Sequence, residues 1–113
     1  MISVDLLVLR CIDIERSRAF YELVGVTFVR EQHRTGPEHF AAVLGDVTIE
    51  LYPASSTRPP EAGLRIGLKV EDVDVVVKSI AAAGHQRREV GGSSFLDPDG
   101  RIVVLSDGTH DDG

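Results

Sequence analysis

The chain runs through one order of elements twice. A short apolar run, Val4 to Arg10, leads to Asp13, and a second run, Leu64 to Val70, leads to Asp72. Each aspartate is a residue type that caps a helix N-terminus. Each is followed at the same spacing by a glycine, Gly25 or Gly84, of the kind that ends a helix in the left-handed conformation. At that offset Leu9 matches Leu68 and Leu6 matches Arg65; in the final strands, after a second half five residues shorter, Leu51 matches Leu105 and Glu50 matches Val104. Three strand-like segments follow each glycine: Val26 to Gln32, Glu38 to Leu44 and Val47 to Tyr52 in the first half, then Gln86 to Val90, Ser93 to Leu96 and Arg101 to Ser106 in the second. Agreement between element order and punctuation marks an internal repeat.

The helices carry apolar stripes at helical spacing. Ile14, Phe20, Leu23 and Val24 form one, and Val73, Val76, Val77 and Ile80 the other. Gly45-Asp46, Arg34-Thr35-Gly36-Pro37 and Asp97-Pro98-Asp99-Gly100 read as turns. The stretch from Pro53 to Gly63 holds three prolines among small polar residues and reads as a linker. This places module one at 3–53, a linker at 54–63, module two at 64–107 and an acidic tail at 108–113, all within one domain.

Composition narrows the function classes. A formal charge of −6 disfavours nucleic acid and suits a cationic or zwitterionic ligand. No apolar stretch is long enough for a membrane span. Met1 to Asp5 lacks the pattern of a secretory signal, and the single Cys11 fits a reducing compartment, so a cytoplasmic location is expected.

The segment Asp46 to Tyr52 alternates strictly. Val47, Ile49 and Leu51 share one face of a strand, and Thr48, Glu50 and Tyr52 the other. A carboxylate in so apolar a strand must meet water or a partner, because burying it alone is costly.

Three segments carry a family resemblance. Asp13 to Glu22, with its Phe20-Tyr21 pair, resembles the helix signature of the glyoxalase/bleomycin-resistance/dioxygenase (vicinal oxygen chelate) superfamily. Phe95 to Arg101 resembles the segment before that family's last strand, and Val70 to Asp74 its second helix start. The resemblance spans roughly residues 3 to 107. It implies an α+β fold of two tandem βαβββ modules, with mixed curved sheets around a cavity and helices outside, and commonly a homodimer.

The resemblance also implies where a metal would sit. Family enzymes draw His, Gln or Glu ligands from the first and last strand of each module, and those positions fall on Leu6, Glu50, Arg65 and Val104. Only Glu50 is a ligand type; leucine and valine have no lone pair, and arginine is a fixed cation. No metal is therefore expected there. Strand parity makes Leu6, Val8, Thr48, Glu50, Tyr52, Arg65 and Val104 the ligand-binding candidates, with Glu50 and Arg65 pairing across the cavity and Glu50 the one candidate base.

The leading expectation is a metal-free protein that holds a small organic ligand, on the model of drug-sequestering resistance proteins. One alternative is a lyase, isomerase or dioxygenase that uses zinc, nickel, manganese or iron, or Glu50 as general base. Another is a non-catalytic interaction module. His33 and His39, with Glu38, could hold zinc at the hairpin turn, although exposed turn residues are the commoner meaning of such a pattern. Cys11 reads as a buried inert thiol, Tyr21 as a partly buried helix residue, and His85 as a helix C-terminal imidazole.

Overall fold

In a computed structural model, residues 1–108 are described; the expected tail, with His110, lies beyond them apart from Gly108. The first repeat forms β1 (Leu6–Cys11), α1 (Ile14–Val24), β2 (Val29–Glu31), β3 (His39–Leu44) and β4 (Val47–Pro53). The second forms β5 (Arg65–Lys69), α2 (Val73–Ala82), β6 (Ser94–Leu96) and β7 (Ile102–Ser106). The architecture is α+β, as expected, and the two sheets do not close on one another.

Each helix begins and ends on the expected residues. The Asp13 carboxylate accepts from the N–H groups of Glu15 and Arg16, and Asp72 accepts from Val75. Gly25 and Gly84 stand at φ of 119° and 96°, where a side chain would be strained. Around Gly25 the amides of Gly25 and Val26 donate back to Glu22 and Tyr21, which satisfies carbonyls the helix would otherwise orphan. The buried face of α1 is Ser17, Phe20, Tyr21 and Val24, while Ile14 and Leu23 lie at its margin.

The sheet orders are β1-β4-β3-β2 and β5-β7-β6. β1 runs parallel to β4 and β5 parallel to β7; the remaining pairs are antiparallel. The strand expected at Gln86 to Val90 shrinks to a single bridge between Arg87 and Phe95. The second repeat is shorter at that point, and Gly91 and Gly92 follow the bridge, so little chain is left to pair.

Strand parity splits each sheet into two faces. Leu9, Cys11, Phe40, Ala42, Ile49 and Leu51 turn inward to the core shared with the helices. The opposite face is uncovered: Leu6 is 52% exposed and Val43 74%. The molecule is accordingly thin, 45 × 39 × 23 Å, with one layer of helix on one layer of sheet.

Side chains, not strand pairing, stitch the repeats together. Among the described residues, β1 and β5 are both edge strands. At one end of the seam between the repeats lies Arg101, wholly buried. Its guanidinium donates to Asp97, to Asp99, to Glu61 and to the Arg10 carbonyl. Asp97 also accepts from the Tyr21 hydroxyl at 2.5 Å and from the amides of Asp99 and Arg101. Asp99 accepts from the Ile12 amide and the Ser17 hydroxyl, and Glu61 from the Arg10 amide. Tyr21 is thus fully buried rather than partly so, because Asp97 gives its hydroxyl a partner. Burial and the neighbouring Asp97 carboxylate both raise the Tyr21 pKa. Burial alone would lower that of Arg101, but its bonds to Glu61 and Asp97 outweigh this and hold the cation.

Candidate functional site

The uncovered face of the first sheet forms a grid whose polarity changes along the strands. Leu6 pairs with Thr48, which pairs with Val43. One step along, Val8 pairs with Glu50, Glu50 with Ala41, and Ala41 with Val29. A further step brings Arg10 beside Tyr52, and His39 beside Glu31. One end of the face is therefore apolar and the other polar, with Glu50 at the boundary.

The polar end is tightly built. The His39 and Tyr52 rings stack at 4.2 Å between centroids, 9° from parallel. The Arg10 guanidinium lies 4.9 Å over the Tyr52 ring. His39 is buried, with Nδ1 3.3 Å from the Pro37 carbonyl oxygen. Its Nε2 faces Glu31 Oε1 at 3.2 Å, the Tyr52 hydroxyl at 3.4 Å and Glu50 Oε2 at 3.6 Å. His33, on the turn, lies with its Nε2 3.8 Å from Glu31 Oε1. Burial and then the Glu50 carboxylate raise the Tyr52 pKa, so its hydroxyl keeps its proton.

Glu50 thus meets His39, a contact the sequence did not reveal. No ion pair joins it to Arg65 among the described residues; Arg65 is exposed on the edge of the other sheet. There Arg65 pairs with Ile102 and Gly67 with Val104 along the uncovered face. Leu6, Val8, Thr48, Glu50 and Tyr52 do share one face, whereas Arg65 and Val104 belong to a second one.

Glu38 does not join the histidines; it pairs with Arg30 at 3.0 Å. Adjacent residues along extended chain point to opposite faces, so Glu38 cannot accompany His39. Its place is taken by Glu31, the cross-strand partner of His39. A hairpin register counted outward from the turn would have found that pairing.

The positions that hold a metal in the family's enzymes do not fit one here. Glu50 lies beside Val8 in register, and Val104 beside Gly67. Reading the opening ligands as Val8 and Gly67 instead of Leu6 and Arg65 still supplies no donor. One carboxylate does not make a tight divalent site.

An open cavity of about 730 Å³ lies at the junction of the repeats, between Leu7, Val24 and Ile49 on one side and Ile66, Leu68 and Val70 on the other. It lies largely on the helix-facing side of the sheets, reaches Val43 at its rim, and includes none of the expected ligand-binding residues. A smaller one, about 370 Å³, is lined by Val8, Arg10, Arg58, Pro59 and Glu61. Cys11 is buried and burial pushes its thiol up to about 11, as befits an inert thiol. The His85 ring meets Phe20 edge-on at 5.2 Å. Among the described residues no helix is long and apolar enough to cross a membrane.

Known proteins agree with this fold. The family model for the glyoxalase/bleomycin resistance protein/dioxygenase superfamily matches residues 3–105. No curated protein sequence matches significantly. Among solved structures, the antibiotic-binding protein TnmS3 from Streptomyces sp. CB03234 is 25% identical, with a TM-score of 0.70 over 94% of this chain and 95% of its own. A glyoxalase/bleomycin resistance protein from the same organism is 24% identical, with a TM-score of 0.67 over 92% and 99%. A superfamily member from Sphaerobacter thermophilus DSM 20745 is 21% identical, with a TM-score of 0.68 over 93% and 96%. Two repeats of strand, helix and strands, with the family match across nearly all of them, lead to one conclusion: this chain belongs to the glyoxalase/bleomycin resistance protein/dioxygenase superfamily.

Proposed function

We propose that this protein binds a small organic ligand on the uncovered face of its first sheet, without a metal at the four family positions, and sequesters it rather than converting it. The observation that carries this reading is the grading of that face from exposed Leu6 and Val43 to the ordered Arg10–Tyr52–His39 stack. An apolar wall with a few placed polar groups is how small-molecule sites are made. Glu50 and Glu31 favour a cationic or zwitterionic ligand. The likeness to an antibiotic-binding protein at 25% identity supports a small organic ligand. A homodimer that covers both open faces, in a reducing cytoplasm, completes the proposal.

The test is a thermal-shift screen with metal-free bleomycin and a set of small cationic aromatic compounds. Saturable stabilisation that Leu6→Lys and Tyr52→Ala both abolish is the expected result. Stabilisation that survives both substitutions would move the ligand elsewhere, and a screen with no hits would remove the proposal.

A further inference from the structure

We infer a transition-metal site at the β2–β3 hairpin, formed by Glu31, His33 and His39. It shares Glu31 and His39 with the polar end of the face proposed to hold the organic ligand, adds His33, and uses none of the family's metal positions. The three side chains offer one carboxylate oxygen and two imidazole nitrogens, all within 4.8 Å of one another. Zinc binds such donors at about 2.0–2.2 Å with tetrahedral angles, which sets donor atoms roughly 3.4 Å apart. The measured separations from Glu31 Oε1 are 3.2 Å to His39 Nε2 and 3.8 Å to His33 Nε2.

Charge and tautomer point the same way. The Pro37 carbonyl can only accept, so the proton of His39 belongs on Nδ1. Nε2 points at the centre of the cluster, and the Nδ1 bond to Pro37 orients the ring as metal-binding histidines usually are oriented. Two carboxylates, Glu31 and Glu50, face the same nitrogen. A cation bound among these groups would satisfy both carboxylates and the ring nitrogen at once. An imidazole pair with carboxylate suits zinc, nickel or cobalt rather than calcium or magnesium.

The backbone holds the donors in place. Glu31 and His39 are cross-strand partners. The turn between them is closed by the Gly36 amide donating to the His33 carbonyl, with Arg34 at φ 56°. Non-glycine residues seldom adopt that conformation, and here it sets where His33 leaves the turn. The His33 and His39 rings lie 5.2 Å apart.

Calorimetric titration of the untagged, chelator-stripped protein with zinc, then with cobalt, decides the matter. One zinc per chain is expected, and cobalt should give the visible d–d absorption of a low-coordinate site. His33→Ala and Glu31→Gln, both at exposed or half-exposed positions that leave the core intact, should each weaken zinc at least about tenfold. Glu38→Gln, which alters the neighbouring carboxylate that pairs with Arg30, should leave zinc affinity unchanged. Absence of zinc binding by the folded protein would overturn the site, as would equal affinity in His33→Ala and the parent. Zinc and organic compounds are titrated separately, so failure of one proposal does not touch the other.

Discussion

Two charged clusters lie on this molecule, and they are satisfied in opposite ways. Around Arg101 every carboxylate finds N–H or O–H donors: Asp97 accepts from Tyr21, Asp99 and Arg101, Asp99 from Ile12 and Ser17, and Glu61 from Arg10 and Arg101. Around His39 the balance reverses: Glu31 and Glu50 both face one ring nitrogen, which also meets the Tyr52 hydroxyl. The first cluster is enclosed at the seam of the repeats; the second opens onto an uncovered sheet face. A donor-rich, buried cluster holds a fold together. A donor-poor cluster beside solvent is one that a ligand can complete.

The contrast breaks most visibly at Arg101. Removing one partner of a buried charge network leaves the others uncompensated, at a cost of about 3–5 kcal/mol. Arg101→Met should therefore lower unfolding free energy by that amount in urea titrations. A loss below about 1 kcal/mol would mean the seam is not held there. Tyr21→Phe is the milder version. It removes one of several donors to Asp97, and a loss of about 1–3 kcal/mol is expected from the same titration.

Cys11 lies beside the closed cluster and gives a pH signature. Its folded pKa is raised from 9.0 to about 11 because the thiolate would be buried. The stabilisation is complete below the unfolded value and is lost as pH climbs from 9.0 towards 11. Unfolding midpoints should fall over that window, and Cys11→Ala should flatten the fall. Parallel curves for the two proteins would show that the thiol does not report burial. Smallest of all should be the effect of Glu31→Gln on stability, within roughly 0.5 kcal/mol, because the change touches a half-exposed rim. A large loss would recast the open cluster as structural.

The repeat was legible because its marks are local. Asp13, Gly25, Asp72 and Gly84 act on their own backbones, and period-2 alternation fixes which residues share a face whatever the surroundings. The polar end of the site was less legible because it depends on register across a turn. Glu38 is adjacent to His39 in sequence, yet Glu31 is adjacent in space. Arg65 and Glu50 fell apart for a related reason. Each was placed by the repeat, Arg65 opposite Leu6 and Glu50 opposite Val104, but nothing in the chain stated how two open sheets sit together. Arg101 was read as the first residue of the last strand and the end of the family-like segment before it. Its burial follows from Glu61, on the linker side, closing over it from forty residues away.

The central claim is that ligand lies on the open face and not in the junction cavity. A methyl-resolved NMR titration with metal-free bleomycin or the best compound of the screen tests it most directly, since the two surfaces carry different methyl groups. Saturable shifts at Leu6 and Val8, with Val24, Ile66 and Leu68 unmoved, are the predicted result. Shifts confined to Val24, Ile66 and Leu68 would contradict it and make the cavity between the repeats the binding site.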